Sequence, residues 1–299
     1  MERWPRLVYD EWKDTLATVH LWTQIVGKIR LRLEPFVNHW WNVTFAVTPH
    51  GLTTGSMPYA EGRWFSIDFD FLEPRLRIVG CDGEVGGFEL EPMSVADFYG
   101  RLMGELRRLD FDVAIYGKPN EVAEAIPFDR DTVHASYDAE YVRRFQHVLM
   151  QADRLCKEFR TSFVGKASPV QFFWGAFDLS VSRFSGRTAP PHPGGFPNLP
   201  DWATRLAYSH EEQAVGFWPG MAGLDAAFYS YSYPEPPGLS EAKIALPGAW
   251  NATLHEFILP YEEVRTSLDP DKVVLDFFDS TYSPVADLLK WDRAALEAR

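Results

Sequence analysis

Three polar side chains recur one helical turn apart near the start of the chain: His20, Gln24 and Lys28. Residues at this spacing lie one above another on the same face of a helix. An imidazole that titrates near neutral pH can act as a general base or bind a ligand. The same stripe can also serve as a purely structural hydrogen-bonding face, and the sequence leaves both interpretations open.

The helix that carries this stripe is predicted over residues 10–33, because apolar residues recur there at three- and four-residue spacing. Residues 63–71 instead alternate strictly, with Phe side chains on one side and Trp64, Asp68 and Asp70 on the other. A period of two is typical of a strand in an antiparallel sheet. Helix and strand signals of this kind predict an α+β fold.

The same order of elements occurs twice along the chain. Residues 1–116 predict a helix, antiparallel strands and a closing helix, and residues 117–136 a connecting segment. Residues 137–299 predict a second α+β half, with a Pro/Gly-rich insertion at 185–200. We therefore expect two pseudo-repeated halves in one compact unit, although any α+β chain produces similar alternation.

The register of this repeat places Trp beside short polar groups on equivalent strands. A shift of about 134 positions brings Trp40, in a strand predicted from there to Val47, onto Trp174, in a strand predicted over 171–182. Such faces are either walls of a polar cavity or ordinary solvated sheet surfaces. The cavity interpretation predicts catalytic groups at His20, Asp68, Asp70 and His210, and ligand-binding groups at Gln24, Trp40, Trp64, Trp174, Arg183, Arg187, Trp218 and Tyr231.

Two further segments carry groups that bind anions or metals in other proteins. Arg183 and Arg187 flank a Ser-Gly pair, and two guanidinium groups can hold a carboxylate or phosphate. The alternative is a loop anchored by internal ion pairs. His192 and His255, elsewhere in the chain, are possible metal-ligand partners for His210. No HxH or HExxH spacing supports such a metal site. We therefore predict no metal ligands and leave the cofactor open.

Composition excludes several classes of protein. The chain of 299 residues has a net charge of −13 and no block of Lys and Arg, which disfavours nucleic-acid binding. No apolar run approaches the ~20 residues needed to span a bilayer, so no membrane partner is expected. The two cysteines form no CxxC pair and the N-terminus has no apolar signal core, which favours the cytoplasm.

Six strings in the chain are distinctive: WKDTLATVHLWTQIVGKIR, NHWWNVT, FFWGAFDL, RFSGR, GFWPG and YSYSYPEP. Together they resemble an uncharacterised bacterial family that is catalogued as a domain of unknown function. The resemblance spans nearly the whole chain and implies one family-length unit. It implies no activity, cofactor or catalytic residue.

The function that these observations favour is an enzyme that acts on a small molecule by His/Asp acid–base chemistry in a cleft with aromatic walls. A non-catalytic protein that binds a sugar-like or aromatic anion is the first alternative. A scaffold or interaction protein without a pocket is the second. The sequence does not identify the reaction, the ligand or the oligomeric state.

Overall fold

A computed structural model describes residues 2–298, apart from the side chain of Glu61. Helices and antiparallel sheets alternate along the chain, which confirms the α+β class. The α-helices are α1 (Tyr9–Leu33), α2 (Val95–Arg108), α3 (Ala139–Arg160), α4 (Asp201–Ala207), α5 (Tyr261–Arg265), α6 (Pro270–Leu288) and α7 (Arg293–Leu296). Ser94 caps α2 and Asp138 caps α3, each by accepting hydrogen bonds from main-chain N–H groups of the first turn.

The strands form two six-stranded sheets, one in each half of the chain. The first sheet has the order β1-β2-β4-β5-β6, with β3 paired to β4, and the second has the order β11-β12-β10-β9-β8-β7. All the pairs are antiparallel. The strands are β1 (Ala46–Val47), β2 (Gly51–Thr53), β3 (Met57–Pro58), β4 (Trp64–Asp70), β5 (Arg75–Gly80), β6 (Val85–Glu89), β7 (Gln171–Phe173), β8 (Asp178–Thr188), β9 (His210–Met221), β10 (Leu224–Tyr233), β11 (Ala249–Asn251) and β12 (Glu256–Pro260).

The two sheets meet at one reciprocal main-chain pair. Phe45 and Phe172 each donate an N–H to the other's carbonyl, at 2.9 and 2.8 Å. This bridge places the β1 edge of the first sheet beside the β7 edge of the second. The β1 edge and the β7 edge therefore cover each other at this point.

Helix α1 lies at the centre of the main core. Trp22, Ile25, Val26 and Ile29 have no exposed surface. The Trp22 ring stacks on Phe98 of α2 with centroids 4.9 Å apart. Because α1 also contacts α3, β9 and β10, it is apolar over a wide sector, and only a narrow stripe remains for polar side chains.

Three strand predictions were wrong in detail. The segment from Trp40 to Thr44 is not a strand: Asn38–Trp40 forms a 3-10 helix, and Trp40 has a φ of 60°. The strand predicted over 171–182 is divided by a turn, after which β8 runs on to Thr188. Residues 111–116, where apolar and polar residues alternate as in a strand, pair with no strand of the part of the chain described, although Phe111 and Val113 are buried.

Candidate functional site

The outer face of the second sheet is acidic and aromatic. Strand alternation turns Leu179, Val215, Phe228 and Phe257 into the main core. Their neighbours therefore point to the opposite side, where a separate small apolar cluster forms around Tyr229. The polar and aromatic side chains of this face are Asp178, Ser180 and Ser182 on β8, Glu212 and Trp218 on β9, Tyr229, Tyr231 and Tyr233 on β10, and Glu256 on β12. We call this face, with Glu121 and Tyr208 above it, the acidic cleft.

Two segments distant in sequence cover this face. One is the connecting segment at 117–127, and the other is the insertion that continues through α4 to Tyr208. They are joined where the Glu121 N–H donates to Pro197 O at 2.8 Å and the Asn198 side chain donates to Val122 O at 2.7 Å. The insertion is also tied to the sheet, because Tyr233 donates its hydroxyl to Pro190 O at 2.9 Å.

The stripe on α1 holds the connecting segment in place. The Gln24 side chain donates to Asn120 O and accepts from Asn120 N–H, both at 2.8 Å, and Lys28 donates to the Asn120 side chain. His20 Nε2 lies 2.8 Å from Gly175 O, in the turn between β7 and β8. The predicted stripe therefore positions the main chain next to the cleft.

Glu121 enters the cleft from a backbone conformation that few side-chain-bearing residues adopt. Its φ is 60°, in the left-handed region. Its carboxyl group lies against Gly175, where a Cβ atom would overlap its Oε1. Non-glycine residues in this region are held by their surroundings and are concentrated at functional sites. Here the surroundings are the hydrogen bonds to Asn120 and Pro197.

Burial raises the pKa of four carboxyl groups in the cleft. Desolvation raises the pKa of Glu212 to about 8, of Glu121 and Glu256 to about 7, and of Asp178 to about 6. The negative charge of Asp178 raises the pKa of Glu121 and Glu256 further. The Tyr229 hydroxyl donates to Asp178 and opposes the rise there. The cleft thus holds proton donors and acceptors at the same neutral pH.

Aromatic rings enclose these carboxyl groups. The centroids of Tyr229 and Tyr231 lie 6.0 Å apart, with their rings nearly parallel. The ring centroid of Tyr208 lies 5.2 Å from that of Tyr233 and 4.6 Å from that of His192 in the insertion. Burial raises the pKa of Tyr208, Tyr229 and Tyr231 far above neutrality, so their hydroxyls remain protonated donors.

The structure brings part of the predicted site to this cleft. Trp218 and Tyr231 lie on its floor, and His20 and Gln24 lie beside its covering segment. Trp174 is buried against Gly27 of α1 and donates its indole N–H to Val43 O at 2.8 Å. Burial lowers the pKa of His20 to about 4, so this imidazole is neutral at pH 7 and does not titrate there as the sequence suggested.

The predicted groups of the first half lie elsewhere, on the outer face of the first sheet. Asp70 accepts two main-chain N–H bonds and lies 3.7 Å from Arg77, while Thr53 donates to Asp68. They line a separate cavity of about 210 Å³. Trp64 is 46% exposed. This face is largely solvated, so the two halves do not contribute matching walls to one cleft.

The remaining predicted residues make internal contacts. Arg183 points into the core, where it lies 3.4 Å from the Phe159 ring centroid and donates to Phe159 O. Arg187 pairs with Glu211 at 2.7 Å and donates to Leu289 O at the end of α6. These contacts occupy both guanidinium groups on which the anion interpretation depended.

Trp40 and His210 lie outside the cleft floor. Trp40 donates its indole N–H to Ala203 O of α4 at 2.8 Å, and this contact helps fix the helix that precedes Tyr208. His210 Nδ1 lies 3.1 Å from Ser209 Oγ, and its ring centroid lies 5.6 Å from that of His39. Trp40 thus contacts α4, and His210 contacts Ser209, from outside the cleft.

Sequence reasoning missed most of the carboxyl groups. Asp178 lies in the strand predicted over 171–182, but no role was assigned to it. Glu212 and Glu256 stand in strand sequences with no local sign that their surroundings lack water. Glu121 lies in a segment without periodic pattern, and only the three-dimensional structure places it above the second sheet.

The fold and this site define a class: a two-sheet α+β protein with a partly buried acidic and aromatic face on its second sheet. The chain belongs to DUF5996, a family of unknown function, whose model matches residues 4–298. This confirms the resemblance seen in the sequence. No curated protein and no solved structure matches the chain.

None of the helices within residues 2–298 has both the length and the apolar character needed to cross a bilayer. No group of three or more His, Cys, Asp or Glu side chains within the same residues is arranged to hold a metal ion.

Proposed function

We propose that this protein is an enzyme that acts on a small molecule in the acidic cleft, with carboxyl groups as general acid and base. The observation that carries the proposal is the gathering of four partly or fully buried carboxyl groups on one aromatic sheet face, where desolvation raises the pKa of each. Perturbed groups that share a cleft are typical of catalytic sites, because proton transfer is most efficient when the pKa lies near the working pH.

Two of the carboxyl groups suit opposite roles. Asp178, with a pKa of about 6 and the Tyr229 hydroxyl bound to it, is mostly ionised at pH 7 and suits a general base. Glu256, whose pKa is raised to about 7 by burial and in part by the negative charge of Asp178, is about half protonated at the same pH and suits a general acid. Carboxyl groups whose surroundings separate their pKa values in this way divide acid and base work in known enzymes.

A non-catalytic binding protein is the second candidate, favoured by the ring contacts among Tyr208, Tyr231, Tyr233 and His192. Such aromatic walls hold ligands without any chemistry. Both candidates use the same cleft, but they differ in turnover. An anion is a poor occupant, because the cleft itself is acidic.

The test is incubation of the protein with a metabolite extract, followed by mass spectrometry of every compound consumed or formed. An enzyme converts at least one compound, and Asp178→Asn and Glu256→Gln abolish the conversion. The matched control is Asp68→Asn, which removes a carboxyl group from the first sheet and leaves conversion unchanged. Ligand-dependent stabilisation without conversion would identify a binding protein. Absence of both would refute the proposal.

We also propose a cytoplasmic location. The support is that Cys81 and Cys156 are both free thiols, as expected for a reducing compartment. Fractionation of cells that produce the protein tests this proposal, and recovery from an extracytoplasmic fraction would contradict it.

A further inference from the structure

We infer that the ligand of the acidic cleft is an organic cation that carries N–H donors, such as a protonated amine or a guanidinium compound. This inference rests on the proposed function, since it assumes that the cleft is the small-molecule site. It adds the chemical class of the ligand, argued from unmet hydrogen bonds, charge and ring geometry.

Three of the four carboxyl groups of the cleft, Glu121, Glu212 and Glu256, have few or no hydrogen-bond donors among residues 2–298. Glu212 is only 5% exposed, and within residues 2–298 the Ser182 hydroxyl is the one side-chain group that hydrogen-bonds to its carboxyl group. In the same part of the chain no donor reaches the carboxyl oxygens of Glu121 or Glu256. A carboxylate offers about four acceptor positions, and buried polar groups in folded proteins are normally paired. Glu212 lies on the outward face of β9, so its unfilled acceptor positions are open to donors from a ligand on that face.

The cleft also lacks a cation of its own. Among residues 2–298, no Lys or Arg forms an ion pair with any of its four carboxyl groups. Lys28 is the nearest ammonium group on the supporting stripe, but it donates to the Asn120 side chain and lies 5.9 Å from the Trp174 ring centroid. Burial lowers the pKa of His192 in the covering segment, which disfavours its charged form. A cationic ligand would supply the missing charge.

The aromatic walls suit the same occupant. Tyr208, Tyr231 and Tyr233 surround the carboxyl groups, and the faces of such rings attract cations that approach within about 6 Å. A neutral polyol would fill the acceptor positions but leave the ionised carboxylates without a counter-charge. An inorganic metal ion finds no ligand set among residues 2–298. An organic cation satisfies the donors, the charge and the rings together.

Binding of a cation should depend on pH with a known sign. The groups near Glu212 are the Ser182 hydroxyl and the phenols of Tyr208 and Tyr231. The phenols stay protonated in the working range, so only the carboxyl groups titrate. With a Glu212 pKa of about 8, the ionised fraction falls about fifty-fold between pH 8 and pH 6. Affinity for a cation that requires this carboxylate falls by up to the same factor.

The experiment is isothermal titration calorimetry with putrescine, spermidine and agmatine at pH 8 and pH 6. Butanediol of the same chain length as putrescine is the neutral control, and tetramethylammonium is the cation without N–H donors. We expect a diamine or guanidinium probe to bind at pH 8, more weakly at pH 6, and to release protons in buffers of different protonation enthalpy. Butanediol should not bind, and tetramethylammonium should bind more weakly.

Two variants locate the binding. Glu212→Gln keeps the side-chain shape and should reduce affinity at pH 8 at least tenfold, while a urea-unfolding curve shows that the variant is folded. The control Glu89→Gln removes an exposed carboxyl group of β6 and should leave affinity unchanged. Equal affinity in wild type and Glu212→Gln would overturn the inference, because it would place the cation on the general acidic surface.

The cation inference and the proposed function would be refuted by different results. If a neutral compound from the metabolite extract binds in a Glu212-dependent manner while no cation binds, the cation inference is refuted and the proposed function stands. If neither cations nor any compound of the extract binds or is converted, the proposed function fails and the inference fails with it.

Discussion

Glu212→Gln should make this protein more stable at neutral pH, although it removes a group from the candidate site. The pKa of Glu212 is about 8 in the folded chain, raised by burial from an ordinary value of 4.5. Below about pH 4.5 the carboxyl group is protonated in the folded and the unfolded chain alike. Between about pH 4.5 and pH 8 only the unfolded chain ionises, so folding loses stability as the pH rises.

The interval between the unfolded and folded pKa values of Glu212 sets the size of this change in the free energy of unfolding. Each pH unit corresponds to about 1.4 kcal/mol, so ionisation of the unfolded chain alone costs the native state about 3 kcal/mol at pH 7. Glutamine cannot ionise and has nearly the same shape as glutamic acid. Glu212→Gln should therefore raise the free energy of unfolding by about 3 kcal/mol near pH 7 and leave it unchanged near pH 4.5.

Urea unfolding followed by tryptophan fluorescence at several pH values measures this difference. The matched control is Glu89→Gln, at an exposed position of β6, which should shift stability by no more than about 0.5 kcal/mol at any pH. Parallel stability curves for wild type and Glu212→Gln would refute the argument, because they would mean that the Glu212 carboxyl group titrates alike in the folded and unfolded chains.

Three further predictions concern how the cleft is held together. Gly175→Ala places a Cβ where the Glu121 carboxyl group lies, so ligand affinity measured by calorimetry should fall about tenfold; unchanged affinity would show that this carboxyl group is not needed. Gln24→Ala removes both hydrogen bonds to the Asn120 main chain, and amide hydrogen exchange over 117–127 should become faster, whereas unaltered exchange would mean that other contacts hold the segment. Arg183→Ala removes a buried guanidinium group from its aromatic contacts, which should cost about 3 kcal/mol in urea unfolding without changing ligand affinity; lost affinity at full stability would restore the anion-site interpretation.

Periodic patterns in the sequence were enough to predict the main elements. Helix α1 was predicted over 10–33 and extends over Tyr9–Leu33, and the alternation at 63–71 corresponds to β4. These segments were predictable because one face of each is buried, and burial leaves a regular mark on residue type. Trp40 has no such mark, since its left-handed backbone conformation depends on α4, which follows some 160 residues later.

The acid–base character of the site could not be read from the sequence in the same way. Glu256 and Glu89 are both glutamates at strand ends, yet burial raises the pKa of Glu256 to about 7 while Glu89 is exposed. The difference comes from the segments that cover the second sheet. The α1 stripe was recognised, but its action is indirect: Gln24 orients the main chain beside Glu121.

The two covering segments of the cleft and the strands beneath them are made at different times on the ribosome. Glu121 leaves the ribosome before any strand of the sheet beneath it, while Glu256 follows more than a hundred residues later. A nascent or truncated chain that ends before β12 lacks Glu256 and the strand that pairs with β10. The set of carboxyl groups that we assign to the cleft is therefore complete only after synthesis has passed β12.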